Sequence, residues 1–208
     1  MPKGSEKLTI ARKEEIINAC AALYETMGFN DITLRDIGSK TSFTRTSIYN
    51  YFQTKEEIFL ALLGREYEAW TADLKEIACK DDALSADKFA ETIAHTLEKR
   101  GCMLKLLSMN LYDMEMNSRI ERLVDLKKIY SSAMQAIIHC LEKFFPNITD
   151  ADTQEFIYAF FPFLFGVYPY TSHTDKQKKA MEIANIDYVQ YSIYEITKTF
   201  VAKLIKAF

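Results

Sequence analysis

Between Thr33 and Glu57 the chain carries three separate helix-start signals, and only short helices joined by tight turns satisfy them in so little sequence. Thr33 is placed to cap a first helix with Asp36 reaching back to it, Thr44 to cap a second, and Thr54-Lys55-Glu56-Glu57 is a capping box opening a third. Leu34 and Ile37 give the first helix its apolar face, and Ile48 with Phe52, at i,i+4 spacing, gives the second its own. Phe43 lies between them as a packing plug. The pattern is a helix-turn-helix. It leaves Thr44, Arg45, Thr46, Ser47, Tyr49, Asn50, Tyr51 and Lys55 outside the core, a set of hydrogen-bond donors suited to phosphates and base edges.

Roles within that set follow from position. Arg45, Thr46 and Asn50 fall where a recognition helix enters the major groove, with arginine suited to guanine and asparagine to adenine. Thr33, Thr44, Ser47, Tyr49, Tyr51 and Lys55 suit the phosphate backbone, where helix N-termini add partial positive charge. Two alternatives stay open here: the Tyr49 ring packs into the core instead, and Thr33 and Thr44 serve only as caps.

The order of Thr33, Arg35 and Ile37, then the turn, then Tyr49-Asn50-Tyr51-Phe52-Gln53-Thr54-Lys55-Glu56-Glu57 resembles the DNA-binding domain of the TetR family of one-component bacterial regulators. The resemblance covers residues 1–57 and adds Arg35 to the residues implied to contact DNA. Ser42 stands where the family usually has glycine, which predicts strain of about 1 kcal/mol for a left-handed residue. Thr46 replaces a second common glycine and sets a further polar group toward DNA.

Composition agrees with a soluble globular chain, 49% apolar and 26% charged. The net charge is −3, yet residues 1–55 carry eight basic against six acidic side chains, a mildly positive head on an acidic body. The cysteines at 20, 79, 102 and 140 have no CxxC pairing and no secretory leader precedes them, so they read as reduced, small core residues in the cytoplasm. Histidines 95, 139 and 173 lack ligand spacing, so neither a metal nor a cofactor is expected. The uncharged run Phe156 to Tyr170 contains Pro162, Gly166 and Pro169 and falls short of the about 20 apolar residues that span a bilayer, so no membrane association is expected.

Apolar spacing is helical throughout, which predicts an all-α chain; with the resemblance, this implies an N-terminal three-helix helix-turn-helix domain, residues 1–56, and a larger C-terminal helical ligand-binding and dimerisation domain, residues 57–208. The spacing places helices over 11–27, stopped at Gly28, and over 55–79, 85–97 and 102–117. A capping box at Ser118 to Glu121 opens a long helix to Phe145, an apolar helix covers 153–167, a polar loop 172–178, and a last helix 186–206. The body is rich in aromatics and methionines, more than one helical face would bury. That suits a cavity for a small hydrophobic or amphipathic effector, with Trp70, Met103, Tyr112, Met134, Phe160 and Phe163 as its candidate wall.

The last helix is apolar on more than one face, so Ile193, Ile196, Phe200, Val201 and Leu204, with Phe156 and Phe165 before it, are the candidate dimer interface. In the family two such helices from each chain make a four-helix bundle. The resemblance therefore implies a cytoplasmic, homodimeric repressor that releases a palindromic or near-palindromic operator on binding an effector. The alternative is a helical enzyme using the aromatic cavity as an active site, for which no Ser/His/Asp order, paired carboxylates, phosphate loop or metal spacing stands out.

Overall fold

The computed structural model describes residues 3–79 and 83–206, with backbone alone for residues 3–5 and Arg45. Asp81, Asp82 and Phe208 lie outside the described residues. Every regular element described is a helix: α1 Lys3–Tyr24, α2 Leu34–Ser39, α3 Arg45–Ile48, α4 Lys55–Ala78, α5 Ala86–Glu98, α6 Gly101–Met109, α7 Leu111–Met116, α8 Ile120–Phe144, α9 Asp150–Thr171, α10 Asp175–Ile183 and α11 Ile193–Ile205. Two compact units result, one of residues 1–65 with 110–129, the other of 66–109 with 130–208. Helices α4 and α8 each contribute to both. The boundary expected after residue 56 falls inside α4.

The first unit is built around the helix-turn-helix. Ile16, Cys20 and Tyr24 of α1, Phe29 and Ile32 of the following loop, Ile37, Ile48, Phe52, Ile58 and Phe59 are all buried. Rings lock the centre: Tyr24 meets Phe59 edge-on at 5.2 Å, and Phe29 lies 4.6 Å from the same ring. Gly64 of α4 lets α8 approach closely, since a Cβ there would stand 3.1 Å from the Ile129 Cδ1.

In the second unit Trp70, Phe89, Ile93, Leu97, Met103, Leu104, Leu107, Ile137, Leu141, Phe156, Phe160, Leu164 and Val201 form the core. Helix α11 packs on α5 and α9, and α6 on α9. No helix among the described residues is long and apolar enough to cross a membrane.

Several helix limits differ from the sequence expectation, each for a local reason. Helix α1 begins at Lys3 rather than Ala11 because its first turns are solvent-facing, with Leu8 and Ile10 about half exposed, and carry no apolar stripe to announce them. It ends at Tyr24, and no described glycine has positive φ, so Gly28 is not a left-handed stop. A Cβ at Gly28 would stand 2.7 Å from Oδ2 of Asp31, the end of an exposed side chain that is free to swing aside, so packing does not demand glycine there. The helix expected over 102–117 breaks at Asn110 (φ −139°, ψ −2°), whose side chain accepts the Tyr24 hydroxyl at 2.7 Å. The Ser118 cap is not made, because its hydroxyl is buried without a hydrogen-bond partner and α8 begins at Ile120.

The chain from 172 to 206 shows the largest difference. A capping box of Thr174 and Gln177 starts α10 inside the expected loop. Asn185, at φ 51°, then breaks the chain, and a box of Ser192 and Glu195 delays the last helix to Ile193. Cys20 and Cys140 are buried as expected, and burial pushes the Cys140 thiol up to about 11. Cys79 is instead exposed.

Candidate nucleic-acid interface

Helix α3 is short, and two buried anchors hold it. Ile48 is fully buried and Phe52 nearly so, while the Tyr51 and Phe52 amides both close onto the Ile48 carbonyl. Rotation about the axis is thereby fixed, and Thr46, Tyr49 and Asn50 stand exposed on the side away from these anchors. Tyr49 is 47% exposed and so lies outside the head's core. Thr33, Arg35 and Thr44 are exposed, and Ser47 and Tyr51 half-buried. The Arg45 side chain lies outside the described residues.

Hydroxyls at the two helix starts behave differently. Thr33 caps α2: its oxygen accepts the Asp36 N–H at 3.3 Å while the Asp36 carboxylate accepts both the Thr33 N–H and its hydroxyl. That hydrogen bonding, first of all from the Thr33 hydroxyl, lowers the Asp36 pKa. Thr44 sits at the N-cap of α3 but makes no cap bond; its hydroxyl lies 3.1 Å from that of Ser47.

The turn is held from α1. Glu15 accepts both the Ser42 N–H and its hydroxyl, and no positive φ occurs there, so the strain expected at Ser42 is absent. Arg12 donates to the Tyr51 hydroxyl at 3.4 Å and lies 5.5 Å from the half-buried Phe43 ring. Lys55 is half-buried and donates to the Phe29 and Ile32 carbonyls at 2.8 and 3.1 Å, with its ammonium 4.6 Å from the Phe29 ring. In this arrangement it braces the loop before α2. Arg12 and Glu15 escaped sequence reading because their partners lie far along the chain; the one available signal was their shared face at i,i+3 on α1.

A second contact missed from sequence, between Glu57 and Arg119, lies behind α3. The fully buried Glu57 carboxylate accepts the Arg119 Nε at 2.6 Å and Nη2 at 2.9 Å, together with the Gln53 and Arg119 amides. Burial opposes its ionisation, but these donors outweigh burial and hold its pKa at about 2. Thr54 still caps α4 by accepting the Glu57 N–H at 3.2 Å, while Glu57 reaches Gln53 rather than Thr54.

In the second unit a half-open cavity of about 430 Å³ is lined by Tyr130, Met134, Gln154, Ile157, Tyr158, Phe161, Pro162 and Phe165. Its size falls in the range of ligand sites. Of the expected pocket residues Met134 lines it; Trp70, Met103 and Phe160 are fully buried core, Phe163 is half-buried, and Tyr112 is 75% exposed on α7. Phe161 joins wall to core, edge-on to Tyr130 at 5.2 Å and to Trp70 at 6.1 Å.

Among the expected dimer residues, Phe156 and Val201 are fully buried inside their own subunit and have no surface to offer a partner. Phe165 is 40% exposed, and Ile193, Ile196, Phe200 and Leu204 are half-buried. Phe200 stacks on Phe163 with centroids 4.0 Å apart. No cluster of three or more potential metal ligands occurs among the described residues.

Comparison with known proteins bears on both halves. The family model described as bacterial regulatory proteins, tetR family, matches residues 16–62, and the tetracyclin repressor-like C-terminal domain matches residues 64–206. The HTH-type transcriptional regulator RutR of Escherichia coli is 26% identical over 126 residues, 56% of this chain and 58% of RutR. An HTH-type transcriptional repressor of Mycobacterium tuberculosis, Rv1474c, is 27% identical over 101 residues, 47% of this chain and 54% of its own length. This chain spans about half the length of the curated relatives it matches. The solved structure of the regulator FadR from Bacillus subtilis, in complex with stearoyl-CoA, superposes with a TM-score of 0.63 over 94% of this chain and 98% of FadR at 14% identity, a likeness of fold. With its helix-turn-helix and its body both matched, the chain belongs to the TetR family of bacterial transcriptional regulators.

Proposed function

We propose that this protein is a cytoplasmic, homodimeric transcriptional repressor that binds a palindromic or near-palindromic operator through α3 and releases it when a small hydrophobic or amphipathic effector enters the body. The observation that carries the reading is the presentation of α3: Ile48 and Phe52 bury one side completely and leave Thr46, Tyr49 and Asn50 exposed on the other. Arg45 begins that helix, where a side chain reaches base edges. Thr33, Arg35, Thr44, Ser47, Tyr51 and Lys55 frame it as backbone contacts, Lys55 having a third N–H beyond the two given to carbonyls.

Selection of DNA fragments by the purified protein tests the reading directly. On the selected site, Arg45→Ala should weaken binding by about 1–3 kcal/mol and relax preference at one base position, as loss of a bidentate contact would. Gel shifts against single-base variants of the site read both effects. Equal loss on every variant would assign Arg45 to the phosphate backbone instead.

The apolar cavity supports the effector side of the proposal, with Tyr130, Met134 and Phe161 as its wall. Trp70 is the only tryptophan and touches Phe161, so its fluorescence should change with an effector that releases DNA. The stearoyl-CoA carried by FadR makes long-chain acyl compounds the first to screen.

For the dimer, the half-exposed stripe of Phe165, Ile193, Ile196, Phe200 and Leu204 is the proposed contact. A charge there, as in Phe200→Glu, should yield folded monomers by sedimentation while the helical signal is kept. A wild-type chain that sediments as a monomer at micromolar concentration removes the dimer from the proposal.

A further inference from the structure

The short segment that opens α8 grips the chain just after α3. Asn117 accepts the Thr54 hydroxyl on its backbone oxygen at 3.0 Å, and Arg119 gives its amide and two guanidinium N–H groups to Glu57. Arg122 donates to the Tyr51 carbonyl at 2.9 Å, and its guanidinium lies 5.7 Å from the Phe52 ring. Tyr51 and Phe52 are the residues whose amides close the recognition segment onto Ile48. An arginine at a helix N-terminus faces the partial positive charge of the helix. Here Glu57 offsets that cost for Arg119, with four donors around one buried carboxylate.

We propose that Arg119 and Arg122 are positioning residues for DNA binding, which clamp the end of the recognition segment to the start of α8 and so fix how α3 is presented. The inference rests on the reading of this chain as a DNA-binding regulator. Neither arginine needs to touch DNA: Arg122 acts through the Tyr51 carbonyl and the Phe52 ring, and Arg119 through Glu57.

The wild-type protein first selects a duplex from a random-sequence library, which tests DNA binding by itself. Affinity for that duplex is then measured for Arg119→Gln, Arg122→Gln, Glu57→Gln and the Glu57→Gln/Arg119→Gln pair across a range of salt. Each arginine variant should lose about tenfold while the salt slope stays at the wild-type value, because no phosphate contact is removed. The double variant should lose less than the two single losses multiplied, since it leaves no buried unpaired carboxylate. Arg119→Gln should also regain affinity as the pH is lowered, because burial without its cation raises the Glu57 pKa and the stranded carboxylate takes up a proton. Among the described residues, Arg119 is the charged group that acts on this carboxylate, through two hydrogen bonds from its guanidinium.

Wild-type affinity in both arginine variants, or a loss that comes with a reduced salt slope, overturns the proposal. Should Arg119→Gln fail to fold, Arg122→Gln carries the test alone, since its guanidinium is partly exposed and, besides the Tyr51 carbonyl and the Phe52 ring, meets only the exposed Asp125 carboxylate at 3.9 Å among the contacts described. A wild-type chain that selects no duplex overturns the DNA-binding reading and this inference together.

Discussion

Replacing Trp70 with alanine should lower the stability of the protein by about 3–5 kcal/mol, read as a shift of the urea midpoint. The indole is fully buried, with the rings of Tyr67, Phe160 and Phe161 at 6.3, 6.3 and 6.1 Å. Its Nε1 donates to the buried Thr96 hydroxyl at 2.9 Å, and that hydroxyl in turn donates to the Ile93 carbonyl at 2.7 Å. Truncation removes the ring's burial and opens a cavity among aromatics that have few ways to collapse into it. Trp70→Phe separates the two contributions: it keeps most of the apolar volume and gives up the hydrogen bond, so it should cost about 1 kcal/mol beyond the smaller ring. An alanine variant within about 1 kcal/mol of wild type would show that Trp70 is not at the centre of the second unit.

Acid should weaken the first unit through Glu57. Its carboxyl titrates at about 2 in the folded protein against an ordinary value of 4.5. The folded pKa is depressed, so the contribution is complete above pH 4.5 and is lost as pH falls from there through about 2. The amount at stake is on the order of 3 kcal/mol. Asp36, Asp152 and Glu195 are also held low, each by cap hydrogen bonds, and move stability in the same direction. The comparison that isolates Glu57 is wild type against Glu57→Gln: the two stability profiles should converge on acidification below pH 4.5. Parallel profiles across that window would mean that Arg119 does not hold the carboxylate ionised.

The helix-turn-helix was legible because its caps and its buried anchors lie within a few residues of one another. Thr33 and Asp36 cap each other, and Ile48 and Phe52 are one turn apart, so spacing alone names them. Family resemblance added Arg35 and the larger body. Legibility failed wherever a side chain chose a distant partner over a near one. Glu57 was read as closing a box on Thr54, but the burial of its carboxylate demanded a cation, which came from Arg119. The arginine pair at the start of α8 carried a usable signal, since positive charge at a helix N-terminus calls for an opposing group.

Composition also hid structure. Helix α10 buries none of its residues, so hydrophobic periodicity was silent there, although Thr174 and Gln177 spelled its cap. In the body, by contrast, aromatics were too many to sort. Trp70 and Phe161 share the same kind of spacing, yet one is core and the other lines the cavity. That distinction depends on which helices neighbour each ring, a matter of tertiary packing that spacing does not encode.

The compact unit that holds α3 is not a continuous stretch of chain, and this limits how the protein can be recombined. Cutting after residue 62, where the match to the N-terminal family model ends, keeps α1 to α3 and most of what reads as a DNA-binding module. It discards Asn110, Asn117, Arg119 and Arg122, and strands Glu57 as a buried carboxylate with its cation gone. A chimera joining this head to another regulator's body therefore inherits the recognition surface without its support, unless the recipient supplies an arginine at the start of the helix corresponding to α8. Exchange of operator specificity between relatives is safer as a graft of residues 44–50 alone, which leaves both halves of the unit with their native partners.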